Sequence, residues 1–254
     1  MNELNGKHAV VTGGGTGVGA EIASALANAG AAVTITGRRA APLEEIANAH
    51  SGIHAAMCDV TSEQAVSGLF DQIGKKRGIP NIIIANAGAA ESAPLTKSSL
   101  DLWNAMLEVN LTGVFLTFRE AMKRLERDDW GRMIAIASTA GLKGYAYTSA
   151  YCAAKHGVIG LVRALASENA KSNVTFNAVC PGFTDTPMLD AAIHNIIEKT
   201  GMSKEEARKA LASTNPQGRF VQPKEVAASV MWLVGNGGDA VNGQAISISG
   251  GETS

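Results

Sequence analysis

The feature that most constrains this chain is an alternation sustained along its length. Short runs rich in Val, Ile, Ala and Thr are each followed by a longer Ala/Leu/charged stretch with helical spacing. Strands are expected at 8–12, 32–36, 54–58, 81–85, 132–138, 174–180 and 245–248. Helices are expected at 17–29, 42–49, 63–76, 99–127, 149–170 and 224–235. The strands read as continuous apolar runs, the pattern of a parallel sheet covered on both faces. Strand–helix alternation of this kind requires right-handed crossovers and builds a doubly wound α/β sheet. No linker, repeat or low-complexity segment interrupts it, so one domain over residues 1–254 is expected, and an apolar fraction of 46% suits a chain that buries a large core.

One segment breaks the rhythm. Residues 187–218 carry two helical stretches separated by Thr200-Gly201, with no strand attached. An insertion after the sixth strand lies at the carboxyl edge of the sheet, where α/β proteins bind ligands; a packing decoration is the plainer alternative. The series Met188, Ile193, Ile196 and Ile197 reads as a packed helical face that can also serve as a substrate lid.

Bulk properties exclude several classes. A net charge of -1 gives no reason to expect nucleic acid or an anionic membrane surface as partner. No run approaches the roughly 18 apolar residues needed to span a bilayer, and residues 1–11 hold no apolar targeting core, so a cytoplasmic protein is expected. Cys58, Cys152 and Cys180 cannot all pair and none lies in a C-x-x-C arrangement, so neither a disulfide framework nor a metal site is expected.

The first strand runs into Gly13-Gly14-Gly15-Thr16-Gly17-Val18-Gly19 and then a helix. Glycines remove Cβ where the backbone must turn sharply or touch a diphosphate, and the helix that follows points free N–H groups at that anion. The tip of the second strand reads Thr36-Gly37-Arg38-Arg39, without the carboxylate that grips a ribose 2′-hydroxyl in NAD-type folds. A guanidinium suits a 2′-phosphate. NADP(H) is therefore expected over NAD(H), with Arg38 the better candidate; a solvated basic pair is the other reading.

Ser149-Ala150-Tyr151-Cys152-Ala153-Ala154-Lys155 opens an expected helix, and a Tyr and Lys four apart share its face. A phenol with an ordinary pKa of about 10 is a poor acid–base group at neutrality, and a nearby ammonium favours its ionised form. Ser138, thirteen residues earlier, stands at the carboxyl end of a strand where its hydroxyl can hold a substrate oxygen. Asn110 falls within an expected helix where its propensity is poor, which points to a kink, a water-holding role or a simple irregularity.

Taken in order, Thr12-Gly13-x-x-x-Gly17-x-Gly19, Asn86-Ala87-Gly88, Asn110, Ser138, Tyr151-x-x-x-Lys155 and Pro181-Gly182-x-x-x-Thr186 resemble the short-chain dehydrogenase/reductase family over almost the whole chain. The resemblance implies a seven-stranded Rossmann-type parallel sheet and hydride transfer between a nicotinamide and a carbonyl or secondary alcohol. It further implies that Gly13, Gly15, Thr16, Gly17, Val18 and Gly19 cradle the cofactor, with Asp59 and Val60 at the adenine. Asn86, Ala87 and Gly88 then shape the sheet edge, and Pro181, Gly182, Phe183, Thr184 and Thr186 line the nicotinamide side. By the same resemblance Asn110, Ser138, Tyr151 and Lys155 are the catalytic set, with Lys155 binding the nicotinamide ribose and lowering the Tyr151 pKa, and Asn110 positioning a water. Two departures are small: Ala85 stands where Asn is usual, and Val18 where Ile is usual.

Residues 177–183, 186–188, 218–223 and 243–245 are similar to those of 3-ketoacyl and polyketide ketoreductases and of 3-hydroxybutyrate-type dehydrogenases. An NADPH-dependent ketone reductase acting on a small molecule is expected. The alternatives are an NAD-linked secondary-alcohol dehydrogenase working oxidatively and, more distantly, a non-catalytic nicotinamide-binding module. The family resemblance also implies a homo-oligomer, a tetramer, with helices 99–127 and 149–170 at one interface and Gly250-Gly251 joining a second.

Overall fold

The computed structural model describes residues 3–126 and 128–253; Arg127, the last residue of the expected 99–127 helix, and the terminal Met1, Asn2 and Ser254 lie outside them. Strands β1 His8–Thr12, β2 Ala32–Gly37, β3 Ile53–Met57, β4 Ile82–Ala85, β5 Gly131–Ile136, β6 Val174–Pro181 and β7 Ala245–Ile248 form one sheet. Their order is β3-β2-β1-β4-β5-β6-β7, and every pairing is parallel. The direction in which successive strands are added reverses between β1 and β4, which opens a crevice at the carboxyl ends of those strands.

Alternate side chains of each strand feed two cores. Val10, Ile83, Met133 and Phe176 point to one face, against α3 Glu63–Arg77, α5 Gly113–Met122 and α6 Ser149–Glu168. Val11, Ile35, Ile84 and Ile134 point to the other, against α1 Gly17–Asn28, α2 Ala40–Ala49 and α9 Pro223–Val234. The helices bury stripes at i, i+3, i+4 and i+7, as Val66, Leu69, Phe70 and Ile73 do on α3. Ser62 caps α3 by accepting the Ala65 N–H, and Lys75, Lys76 and Arg77 occupy its last turn, where cations suit the helix dipole. Among the described residues, no helix is long and apolar enough to cross a membrane.

The expected 99–127 helix is not continuous. It divides into α4 Leu100–Leu107, a π turn at Glu108–Thr112, and α5, which ends at Met122. The cause is Asn110, whose amide nitrogen donates to Met106 O at 3.0 Å and to Ala89 O at 2.9 Å, widening the turn to reach the loop after β4. Near the far end, the Arg124 guanidinium takes the Glu120 carbonyl at 2.7 Å and caps the helix there. The insertion forms α7 Pro187–Thr200 and α8 Lys204–Ala212, separated at Gly201, which is left-handed at φ +73°. Leu189, Ile193, Ala207 and Phe220 make a small core of their own there, while Met188 stays exposed, so the expected apolar series is divided between the two.

Candidate active site

The loops leaving the carboxyl ends of β1, β4, β5 and β6 converge on the crevice. Gly13 and Gly17 have φ +65° and +56°, and a Cβ on Gly13 would stand 2.9 Å from Ala87 Cα. Thr12 Oγ1 accepts the N–H groups of Asn86 and Ala87 at 3.0 Å, and Asn86 Nδ2 donates to Thr12 O at 2.9 Å and Gly13 O at 3.2 Å. The glycine turn is thereby fastened to the end of β4. Gly15 lies against Pro42 and Leu43, and Val18 packs into the α1-side core. Thr16, the exposed cap of α1, gives the helix no side-chain hydrogen bond. The first-turn N–H groups and the Cβ-free turn fit the diphosphate of a dinucleotide. Gly19→Ala would drive a methyl into Gly13 O and to 2.5 Å from Asn86 Nδ2. We expect a loss of about 1–3 kcal/mol in stability, read as a lower urea midpoint at unchanged slope; an unaltered midpoint would contradict this packing.

At the tip of β2, Arg38 and Arg39 are exposed. Asp59 Oδ1 accepts the Thr61 N–H and hydroxyl at 3.0 and 2.8 Å. Those two bonds hold its carboxyl below the usual carboxylate range, with a smaller contribution from Arg38. Val60 is buried beneath Gly113, whose Cβ would come within 2.8 Å of it. On the opposite side, Pro181 ends β6 and Gly182 N donates to Ile248 O at 3.0 Å. The Phe183 ring meets Tyr145 edge-on at 6.2 Å. Thr184 Oγ1 donates to Gly182 O and Thr186 Oγ1 to Thr184 O, which curls this loop over the glycine turn until Thr186 Cγ2 is 3.2 Å from a Cβ built on Gly17.

The four expected reacting groups come together beside this channel. Ser138 lies two residues past the end of β5 and caps the short turn Thr139–Gly141, its Oγ accepting the Ala140 N–H at 3.1 Å. Tyr151 stands in the first turn of α6, where burial pushes its phenol above the ordinary value and a hydrogen bond from Ser138 opposes that. Lys155 is 3% exposed and donates to Ile136 O at 2.9 Å, its Nζ 5.6 Å from the Tyr151 ring centre. The expectation that Lys155 lowers the Tyr151 pKa is therefore not met in the protein alone: the ammonium is turned to a backbone carbonyl, and the lowering influence comes from Ser138. Asn110 also departs from the water-holding expectation. Its Oδ1 accepts the Ala89 N–H at 3.3 Å and its Nδ2 is committed to Ala89 O and Met106 O, so the side chain fastens residues 88–89 beside Lys155. A Cβ on Gly88 would stand 2.7 Å from Asn110 Oδ1 and 3.7 Å from Lys155 Nζ.

Burial brings the Lys155 ammonium down from 10.5 to about 8, a penalty of about 3 kcal/mol on the charged form. The depressed value lies below that of the unfolded chain, so the penalty is complete below pH 8 and is relieved as pH rises from 8 to 10.5. Lys155→Met should therefore stabilise the protein without cofactor by about 1–3 kcal/mol at pH 7. In urea titrations that gain should shrink toward pH 10; a variant less stable than wild type at pH 7 would contradict the burial argument.

The 187–218 insertion and the loop after β4 are tied: Asn195 Nδ2 donates to Ser92 Oγ at 3.1 Å, and Lys199 Nζ to Ser92 O at 3.2 Å. His156 is exposed and bonds Cys152 O. Burial raises the thiols of Cys58 and Cys180 to about 11, leaving them neutral. Among the described residues, no three His, Cys, Asp or Glu side chains are grouped so as to hold a metal ion. Sequence reasoning missed the part played by Thr12, for which a hydroxyl ending an apolar strand was the available signal. It also missed Ile136 O, which has no side-chain signature, and a cluster of Thr139, Lys143, Tyr145 and Glu252 behind the Ser138 turn.

A Cβ-free crevice at the switch point of a parallel sheet, with a Ser, a Tyr and a Lys at its edge, is where α/β folds take up dinucleotides. The family model for short chain dehydrogenases matches residues 7–196. The D-beta-hydroxybutyrate dehydrogenase of Cupriavidus necator is 36% identical over 98% of both chains. The 3-oxoacyl-acyl-carrier-protein reductase of Aquifex aeolicus is 35% identical over 98% of both. A crystal structure of a variant of actinorhodin polyketide ketoreductase with NADPH superposes with a TM-score of 0.94 at 35% identity, over 97% of each chain. The chain belongs to the short-chain dehydrogenase family. It is an oxidoreductase acting on the CH–OH/C=O pair with a nicotinamide dinucleotide.

Proposed function

We propose that the protein reduces a ketone of the 3-ketoacyl type to a secondary alcohol with NADPH. The observation that carries this reading is the buried Lys155 set 5.6 Å from the Tyr151 ring centre at the mouth of the channel, with Ser138 on the turn that follows β5 beside them. When bound, the reduced nicotinamide supplies two electrons and a hydrogen to the carbonyl carbon. Tyr151 gives its phenolic proton to the substrate oxygen as negative charge develops there, and its raised pKa keeps that proton in place at neutral pH. Ser138 donates to the same oxygen, its Oγ held by Ala140 N–H. Lys155, held by Ile136 O in the protein alone, would bind the ribose hydroxyls, and from there its charge would steady the phenolate left behind. Asn110 holds Gly88 and Ala89 so that the lysine has room to do so. Arg38 grips the 2′-phosphate, with Gly13, Gly15, Thr16, Gly17, Val18 and Gly19 at the diphosphate, Asp59 and Val60 at the adenine, Asn86, Ala87 and Gly88 along the β4 edge, and Pro181, Gly182, Phe183, Thr184 and Thr186 around the nicotinamide.

Oligomer formation belongs to the same reading. Leu100, Trp103 and Phe115 expose apolar surface along α4 and α5, and Trp232 does so on α9, two separate faces of the kind a homotetramer needs. A second reading has its own support in the D-beta-hydroxybutyrate dehydrogenase relative: an NAD-linked enzyme working oxidatively. Initial rates with NADPH and NADH on a panel of ketones and 3-ketoacyl thioesters, and with NADP+ and NAD+ on the matching alcohols, separate the two. Faster NADPH-driven reduction is the expected result, and faster NAD+-driven oxidation would replace the first reading by the second.

A further inference from the structure

The last residues described fold back over the carboxyl edge of the sheet and touch three loops of the site. Gly250, at φ +64°, packs so closely on Asn215 that a side chain there would meet the amide of Asn215, at the end of the 187–218 insertion. Glu252 reaches further in. Its side chain is 1% exposed, and Oε1 lies 2.6 Å from the Tyr145 hydroxyl and 3.3 Å from Lys143 Nζ. Among the described residues its Oε2 has no hydrogen-bond partner, and it stands 2.9 Å from where a Cβ on Gly182 would be. A buried carboxylate with one oxygen unsatisfied is costly, and one hydrogen bond and one ion pair to the other do not offset that on grounds of stability alone.

The Tyr145 hydroxyl is also 2.6 Å from Thr139 Oγ1. Its single proton goes to the carboxylate, so the Thr139 hydroxyl donates to the phenol oxygen. Burial and the Glu252 carboxylate both raise the Tyr145 pKa, which keeps that proton in place. Thr139 is buried and lies between Ser138 and Ala140, whose N–H donates to the Ser138 Oγ in the same turn. A chain of hydrogen bonds thus runs from Glu252 through Tyr145 to Thr139 and ends one residue from the hydroxyl aimed at the substrate oxygen. We infer that Glu252 and Tyr145 are positioning residues that set the direction of the Ser138 hydroxyl. This rests on the proposed role of Ser138.

The test uses the full chain and a ketone that the wild type reduces. Tyr145→Phe keeps the ring on Phe183 and removes the bridging hydroxyl; Glu252→Ala removes the carboxylate, and Glu252→Gln keeps an acceptor for Tyr145. Tyr145→Phe and Glu252→Ala are each expected to lower kcat about tenfold, as misdirection of one reacting group does, with NADPH affinity unchanged. Glu252→Gln should recover most of that loss. On a Ser138→Ala background, adding Tyr145→Phe should lower the remaining kcat by less than about twofold, because non-additivity marks residues acting through one another. A tenfold loss that persists on that background, a loss confined to NADPH affinity, or a wild-type kcat in Tyr145→Phe would overturn the inference. If Glu252→Ala does not fold, Tyr145→Phe decides alone. Wild-type turnover abolished by Tyr151→Phe in the same assay leaves the functional reading standing whichever way this result falls.

Discussion

Tyr151→Phe should lower kcat for ketone reduction by about a thousandfold, within the range general-acid catalysis contributes, while NADPH affinity changes by less than about twofold, since the interaction lost is made only in the transition state. The substitution deletes one oxygen from a side chain that otherwise stays packed in the first turn of α6. The ring keeps its packing, and the fold should change by no more than about 1 kcal/mol, the net worth of an ordinary hydrogen bond. Turnover collapses because the substrate oxygen then gains charge with no acid beside it. The pH dependence follows from the direction of the Tyr151 shift. Burial keeps the phenol protonated at neutrality, the form reduction needs. Oxidation of the alcohol needs the phenolate, so its rate should rise with pH in the wild type and lose that dependence in the variant. A Tyr151→Phe enzyme that retained a tenth of the wild-type kcat would remove Tyr151 from the chemistry.

Arg38→Asp should reverse cofactor choice. A guanidinium on a 2′-phosphate contributes about 1.5–3 kcal/mol through charge-assisted hydrogen bonds, and a carboxylate in its place adds repulsion toward NADPH while accepting the free 2′-hydroxyl of NADH. The ratio of kcat/KM for NADPH over NADH should fall about a hundredfold or more. Arg39→Asp is the control. Both arginines are exposed at the tip of β2, but Arg38 is the one whose charge is felt at Asp59, the residue proposed at the adenine. An unchanged ratio in Arg38→Asp, or an equal change in both variants, would return the pair to a solvated surface role and bring NAD(H) forward.

Much of this architecture is legible in the sequence because its signals are local. Strands β1, β4 and β6 are buried on both faces and read as mainly apolar runs, and the Cβ-free turn after β1 announces itself in its glycines. Helices α1, α3 and α6 end within a residue or two of expectation because their boundaries coincide with the end of the apolar periodicity. What escapes is decided by contacts distant in sequence. The periodicity of residues 99–122 passes through the π turn unchanged; the turn exists because the Asn110 amide finds Ala89, 21 residues away. The apolar run carries Ser138 into a strand, but β5 ends at Ile136 and the serine caps the turn that follows, which frees its hydroxyl from the sheet. Helical spacing puts Lys155 and Tyr151 on one face. A long side chain nevertheless chooses among acceptors, and the one it takes in the protein alone is a carbonyl at the end of a neighbouring strand. Glu252 gives no signal: a single acid in a tail of Gly, Ser and Thr looks like a solvated residue until the fold closes Gly182, Tyr145 and Lys143 around it.

The central claim is that one substrate oxygen is shared by the hydroxyls of Ser138 and Tyr151 while Lys155 serves from behind. A crystal structure with NADP+ and a substrate alcohol measures this directly. Both hydroxyl oxygens should lie about 3 Å from the alcohol oxygen, with Lys155 Nζ moved from Ile136 O to the nicotinamide ribose. An alcohol bound beyond reach of Tyr151, or a lysine still held on Ile136 O in the ternary complex, would contradict the account.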